Sequence, residues 1–430
     1  MKNDKLDALR AEIDGCDSEI VRLFEKRMGI SLKIAEYKKE NGIPVFDGAR
    51  EAALKEKLKS QISPEFADDI STVYSTILAS SRAHQKKLIG IDAENDMSAK
   101  FIKKLPIPAE IKEKYPLSPS AQRRKAEYDA EIADIILGKS QKKLLIVGPC
   151  SADREDALLD FCERLSRISE KVSDKLLTVA RVYTSKPRTL GDGYKGILHS
   201  QGENESVFDG IYASRALHVG VIEKTGLPTA DEMLYPANYR YFSDLLSYVA
   251  VGARSVENQE HRFVSSGISV PVGMKNSTSG DTDVMLDAIH AAQKPHDFIY
   301  RGWEVSTRGN ALCHAVLRGG KNAPNYDRDS LLKICADYEK AGLENPAFIV
   351  DASHANSRKD FSRQPEICHD VLDSVKNNAH ISKMFRGFMI ESYIEDGAQD
   401  SPVTYGKSLT DACLGIEKTE KLILEIADKL

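Results

Sequence analysis

The sequence predicts a multidomain protein: an all-α bundle of three helices over residues 1–90, a linker at 91–100, and an α/β domain over 101–430 closed as a (β/α)8 barrel. Three observations predict this. Apolar residues recur every three or four positions from Leu6 to Tyr37. The stretch 92–100 (DAENDMSAK) is polar and has no periodicity. Beyond it, eight short apolar runs alternate with helical patterns, as parallel strands buried on both faces do. A doubly wound open sheet is the architectural alternative.

With 41% hydrophobic and 29% charged residues, 430 residues can form two or three buried cores. The 60 basic and 65 acidic side chains, net −5, argue against a nucleic-acid partner. No apolar run reaches the length of a membrane span, and the N-terminal MKNDKLDALR lacks a signal core, so no membrane partner and a cytoplasmic location are expected. Seven scattered cysteines, an odd number, suit reduced thiols better than a disulfide framework.

The first helix is opened by Asn3 or Asp4 and stopped by Asn41-Gly42. At roughly 35 residues it would be about 50 Å long. The shorter helices after it, at 48–60 and from Ser63-Pro64-Glu65, cannot cover that length, so a second copy is expected to. Arg27 falls on the apolar seam, and Lys38, eleven residues on, projects from nearly the same face. Arg10 points about a quarter turn away. A buried cation is costly unless an anion meets it, either a core glutamate or a ligand.

Asp47, Arg50 and Glu51 open the second helix, and Ser81 and Gln85 lie one turn apart on the third. Together with Arg10, Arg27 and Lys38 they resemble, residue for residue over 5–88, the active site of the all-helical chorismate mutases. In that family two chains intertwine and the first helix lends an arginine to its partner, a part that suits Arg10. The resemblance implies that Arg10 and Arg27 hold the two carboxylates of chorismate. Lys38 and Gln85 would face the ether oxygen where charge develops, Glu51 would hold the hydroxyl, and Asp47, Arg50 and Ser81 would complete the pocket. An intramolecular rearrangement needs a conformer held in place, not a nucleophile.

Residues 101–143 carry several prolines and a helical stretch at about 120–137, an extension before the barrel. The eight runs are 144–150, 176–183, 227–230, 248–253, 270–274, 311–317, 346–350 and 385–390, with helices between them such as 157–172, 239–246 and 282–293. Chemistry in such a barrel gathers at the carboxyl ends of the strands. Those ends carry Cys150; Arg181 with Lys186 and Arg188; Glu232; Arg254; Lys275; Arg318; His354; and Glu391, with Asp411 in the next loop. Cys150, His354, Glu391 and Asp411 form a mixed sulfur, nitrogen and oxygen set suited to a divalent metal. Each alone is ordinarily structural, a buried thiol above all. The cations are more than one phosphate needs, so two anionic groups beside a metal are expected. The run Gly191–Gly196 lacks phosphate-loop spacing.

The stretches IVGPCS, RVYTSKPRT, ADEML, VGARSVENQEHR, PVGMKN, LRGG with PNYD, DASHANS, MIESYIEDG and YGKSLTDAC resemble the type I 3-deoxy-arabino-heptulosonate-7-phosphate (DAHP) synthases over about 101–428. The resemblance implies a TIM barrel that condenses phosphoenolpyruvate with erythrose 4-phosphate, the first step of the shikimate pathway. It implies a divalent metal (Mn2+, Fe2+, Co2+ or Zn2+) on Cys150, His354, Glu391 and Asp411. Arg181, Arg254, Lys275 and Arg318 would hold phosphoenolpyruvate with Glu232 and His261 close by, and Lys186, Arg188 and Thr189 would bind erythrose 4-phosphate. The loop Leu190-Gly191-Asp192-Gly193-Tyr194 departs from the Trp-containing version of enteric members. The expected protein is thus a bifunctional, allosteric homodimer or homotetramer. The alternative is a synthase whose helical domain only senses chorismate or prephenate. A sister synthase acting on arabinose 5-phosphate is disfavoured, because Lys-Pro-Arg-Thr stands where that family has Lys-Ala-Asn-Arg-Ser-Ser.

Overall fold

The computed structural model describes residues 2–90, 99, 102–188, 191–199 and 206–430. They divide into two compact units, Met1–Lys104 and Leu105–Leu430. Most of the expected linker therefore lies outside the described residues.

The first unit holds three helices. The apolar spacing of the first forms α1 (Lys2–Glu40) without a break. Asp47 caps α2 (Gly48–Lys59) by accepting from Arg50 N. A 3-10 turn at Pro64–Phe66 leads into α3 (Ala67–Ile89), which runs to a left-handed Gly90 cap. The only large apolar side chain buried in this unit, among the described residues, is Leu78. Along α1, Leu6, Leu9, Ile13, Ile20, Leu23, Ile30 and Ile34 are all exposed, Ile20 at 63%. Covering each such side chain would be worth about 1.5–3 kcal/mol, so a single copy of this unit lacks the apolar burial of a self-standing domain.

The second unit begins with α4 (Pro108–Lys114) and α5 (Pro119–Ile136). The first of these was not read from the proline-rich extension. The barrel strands are β1 (Lys143–Gly148), β2 (Leu176–Arg181), β3 (Thr229–Glu232), β4 (Leu246–Val251), β5 (Val272–Lys275), then, after the hairpin β6 (Asp297–Tyr300) and β7 (Trp303–Ser306), β8 (Cys313–Leu317), β9 (Phe348–Asp351) and β10 (Phe385–Tyr393). All eight barrel strands pair in parallel in sequence order, and β1 pairs with β10 to close the ring. The open-sheet alternative is excluded. A short β11 (Leu414–Gly415) pairs in parallel with the last residues of β10.

Outside the ring lie α6 (Glu155–Glu170), α7 (Val207–Thr225), α8 (Tyr239–Phe242), α9 (Gln259–Ser265), α10 (Asp283–Ala292), α11 (Arg328–Ala341), α12 (Gln364–Asn377), α13 (Ala379–Met384) and α14 (Ile416–Lys429). The helix expected over 239–246 stops at Phe242, because Leu246 already opens a buried strand. The third strand lies two residues later than its apolar run suggested, since Thr229 and Asp231 hydrogen-bond inside the protein although their side chains are polar.

Two apolar layers hold the barrel. Inside, Leu144, Ile146, Leu177, Val179, Tyr248, Val316, Ile349 and Met389 fill the ring, and Ile132, Ile135 and Ile136 of α5 join them. The second layer packs the outward strand faces against the helices. The filled interior leaves the carboxyl ends of the strands for chemistry.

Candidate active sites

At the barrel mouth, β1 ends at Gly148, where an added Cβ would stand 2.3 Å from the Arg181 carbonyl oxygen. Only glycine lets β2 run that close, and the approach brings Arg181 against the Pro149-Cys150 backbone. Its guanidinium donates to the carbonyls of Pro149 (3.0 Å) and Cys150 (3.2 Å) and to Glu391 (2.7 Å), and stacks over Tyr183 with its carbon 3.7 Å from the ring centre. Both Arg181 and Glu391 are 1% exposed. A buried pair of this kind needs its remaining hydrogen bonds satisfied, and here they largely are.

Cys150 Sγ and one oxygen each of Glu391 and Asp411 lie within 4.8 Å of one another. His354 stands at the edge of this set, its Nε2 3.5 Å from Glu391 Oε1 and its Nδ1 2.9 Å from Asp351 Oδ2. Its φ of 53° is in the left-handed region, a strained position for a residue with a side chain. Lys186 Nζ touches Cys150 Sγ and lies 3.1 Å from Asp411 Oδ2. Burial first, then the charge of Glu391, pushes the Cys150 thiol up to about 12. Burial alone would raise Asp411, but the charges of Lys186 and His354 pull its carboxyl far below the ordinary range.

A cavity of about 180 Å³ opens above these groups, lined by Lys186, Arg188, Glu232, Arg254, Lys275, Arg318, His354 and Asp411 among others. Lys275 is tied to the fully buried Asp351 at 3.1 Å. Burial would raise Asp351, yet His354 and Lys275 hold it well below the usual carboxylate value. Arg318 carries a buried Nε with no hydrogen-bond partner among the described residues, and burial lowers the guanidinium from its ordinary value. An anion is the natural complement of such a group.

The structure brings together all but two of the barrel residues singled out from sequence. Thr189 lies outside the described residues. His261 does not line the cavity: its ring is engaged by the Leu234 carbonyl (3.1 Å) and Asn258 Oδ1 (3.1 Å), and burial lowers its pKa. Sequence reading missed Asp351, the buried carboxylate that binds both Lys275 and His354, and Lys359, 3.6 Å from Asp411. Asp351 ends an apolar strand run and could have been found by the same strand-end rule.

In the helical unit, Arg27 donates to Ser81 Oγ at 2.6 Å, and Gln85 Nε2 donates to Ser31 Oγ at 2.6 Å. Ser81 and Gln85 are buried, and Gln85 Oε1 has no hydrogen-bond partner among the described residues. Lys38 reaches the Val45 carbonyl (2.7 Å), and Asp47 is occupied as the cap of α2 next to Arg50. Glu51 is met by Arg82, which also lies over the Phe46 ring. Arg82 was not anticipated, although it directly follows Ser81. Arg10 stands apart, 66% exposed and paired only with Asp7 at 3.3 Å among the contacts seen.

Residues 110–424 match the family model for the DAHP synthetase I family, and residues 9–86 match that for chorismate mutase type II. A phospho-2-dehydro-3-deoxyheptonate aldolase of Haemophilus influenzae is 38% identical over 355 residues, 80% of this chain and 96% of that protein. The Phe-sensitive enzyme of that name from Escherichia coli is 38% identical over 346 residues, 78% of this chain and 97% of its own length. The solved structure of the Francisella tularensis aldolase superposes with a TM-score of 0.73 at 32% identity, covering 77% of this chain and 98% of that one. Barrel, strand-end chemistry and these likenesses agree: the chain belongs to the DAHP synthetase I family and carries a type II chorismate mutase domain ahead of its barrel.

Proposed function

We propose that the barrel condenses phosphoenolpyruvate with erythrose 4-phosphate to DAHP and phosphate, and that the helical unit rearranges chorismate to prephenate. The observation that carries the first is a sulfur and carboxylate cluster that shares Asp411 with a cavity lined by six cationic side chains, one of which, Arg318, has a buried donor left over. A buried thiol held between two carboxylates fits a divalent cation, which would be held by Cys150, His354, Glu391 and Asp411. When bound, it supplies Lewis-acid polarisation of the aldehyde.

This chain's own residues do the rest. Arg181, Arg254, Lys275 and Arg318 hold the carboxylate and phosphate of phosphoenolpyruvate, with Glu232 beside them. Arg188 takes the phosphate of erythrose 4-phosphate. Burial would lower Lys186, but the adjoining Cys150 sulfur and the Asp411 carboxylate raise it, so it stays cationic where the aldehyde oxygen gains charge. The methylene carbon bonds to the aldehyde carbon, water adds at C2, and phosphate leaves from that carbon.

In the helical unit, Arg27 with Ser81, Lys38, Glu51 and Gln85 form one side of a chorismate pocket, with Asp47 and Arg50 at its lip. Arg10 serves the pocket of a second copy across the exposed face of α1, which makes the protein a homodimer or a tetramer of such pairs. A cytoplasmic location is part of this proposal; separately, no helix among the described residues is long and apolar enough to cross a membrane. Supplying phosphoenolpyruvate with erythrose 4-phosphate, and separately chorismate, each with and without a chelator, tests both assignments. Chelation is expected to stop only the first reaction.

A further inference from the structure

Resting on the erythrose 4-phosphate reading of the Lys186–Arg188 segment, we propose that Asp231 and Thr184 form a clamp that positions this segment for the aldehyde substrate. The cations assigned to phosphoenolpyruvate do not depend on it. Asp231, 5% exposed, sits one residue before Glu232 at the end of β3. Its two oxygens accept three hydrogen bonds and face a buried ring nitrogen. Oδ1 accepts from the backbone N of Thr184 (3.0 Å) and of Glu232 (2.8 Å), and Oδ2 accepts from Thr184 Oγ1 (2.6 Å) and lies 3.3 Å from His218 Nε2. His218 is fully buried on α7, and its other ring nitrogen is 3.1 Å from Thr229 Oγ1. The carboxylate is thereby fixed from behind, and Thr184 is fixed to it by two charge-assisted hydrogen bonds.

Thr184 is where the chain leaves β2 toward Lys186 and Arg188. Its carbonyl accepts from Leu198 N at 3.0 Å, which ties the outgoing arm to the returning one. The arms meet again where Lys186 N donates to the Lys195 carbonyl (2.9 Å) and Arg188 Nε to the Tyr194 carbonyl (2.8 Å). Gly196, at φ 92°, permits this approach, since a Cβ there would stand 2.4 Å from the Thr184 oxygen. Lys186 and Arg188 therefore inherit their position from Thr184. Arg181 and Lys275 are held separately, by Glu391 and Asp351. A defect at Thr184 should divide the two substrates.

The test is Thr184→Val, which keeps the shape and removes the hydroxyl, beside Thr184→Ser, which keeps the hydroxyl, and Asp231→Asn. In the full chain with its metal, the valine variant should raise KM for erythrose 4-phosphate about tenfold, the scale of one hydrogen bond to a charged group. KM for phosphoenolpyruvate should stay near the wild-type value, which also reports a folded barrel, and serine should restore the loss. Amide hydrogen exchange of 184–188 and 191–198 should quicken in the valine and asparagine variants. Unchanged kinetics and exchange in the valine variant would overturn the clamp, as would an equal rise in both KM values. If the wild-type chain failed to consume erythrose 4-phosphate while exchange still quickened, the clamp would stand and the substrate reading would fall.

Discussion

The two units solve the same problem, holding a small polyanion, from opposite starting points. The barrel buries its apolar runs in two layers and assembles every cation of its cavity from one chain. The helical unit buries almost nothing large and turns the apolar side of α1 to the outside. In one, the site is a by-product of a closed core. In the other, the proposed reading has a second copy complete both core and site, and the separation of Arg10, paired with Asp7, from the Arg27–Ser81 contact is what motivates it. Perturbing the barrel site should therefore leave the mutase alone, and the converse.

The largest expected effect tests that separation. Cys150→Ala should lower DAHP synthase turnover by about a thousandfold or more, because it removes the one sulfur of the donor set, while chorismate turnover is unchanged. A chelator should give the same split in steady-state assays. Equal loss of both activities in a folded protein would break the comparison. Next, Arg27→Ala should cost the mutase about 3 kcal/mol of transition-state binding, roughly a hundredfold in kcat/KM. Its thermal midpoint should hardly move, since removing a half-buried cation is often neutral. Near-normal chorismate turnover would return Arg27 to a purely structural part.

Communication between the units is a smaller effect. They are joined through one short segment, so their effective concentrations are high, and prephenate bound by the helical unit should inhibit the barrel with a coupling of about 1–3 kcal/mol. Synthase rates measured against prephenate, in the full chain and in one beginning near Ser98, check this. Inhibition that persists in the shorter chain would put the sensor in the barrel. The smallest effect sharpens the two-copy reading. Arg10→Ala and Arg27→Ala chains, each inactive as mutase alone, should recover roughly a quarter of wild-type activity when unfolded and refolded together, because mixed dimers regain one intact pocket. No recovery would mean that Arg10 serves its own chain.

The barrel was legible because parallel strands buried on both faces read as unbroken apolar runs, and because most runs stop at a residue that can do chemistry. Lys275 follows Val272-Gly273-Met274, and Glu391 follows Met389-Ile390. Legibility failed where that logic lapses. The hairpin β6–β7 packs only Phe298, Tyr300 and Val305 against the outer layer and leaves Ile299 and Trp303 mostly exposed, so its short apolar stretch does not read as a buried strand run. Thr229 and Asp231 sit in β3 as polar residues satisfied by His218, which shifted the expected strand toward its apolar neighbours. Arg82 escaped because its partner, Glu51, is on a different helix, and no spacing along one chain records that contact.

The closure of the ring bears on how the protein is made. Leu144 of β1 pairs with Gly387 of β10, and more than half the chain lies between them. Such a contact forms only after a long loop is closed, and it is intrinsically slow. On the ribosome, the three helices emerge complete while β10 is still unsynthesised, with the exposed apolar face of α1 that the proposed dimer would cover. Neighbouring nascent chains can thus pair through their first residues while both barrels are open, at the stage when exposed strand edges invite aggregation. If α1 pairs as proposed, translation of neighbouring chains on one message would favour early pairing, and the last strand would then close each barrel within a dimer already formed.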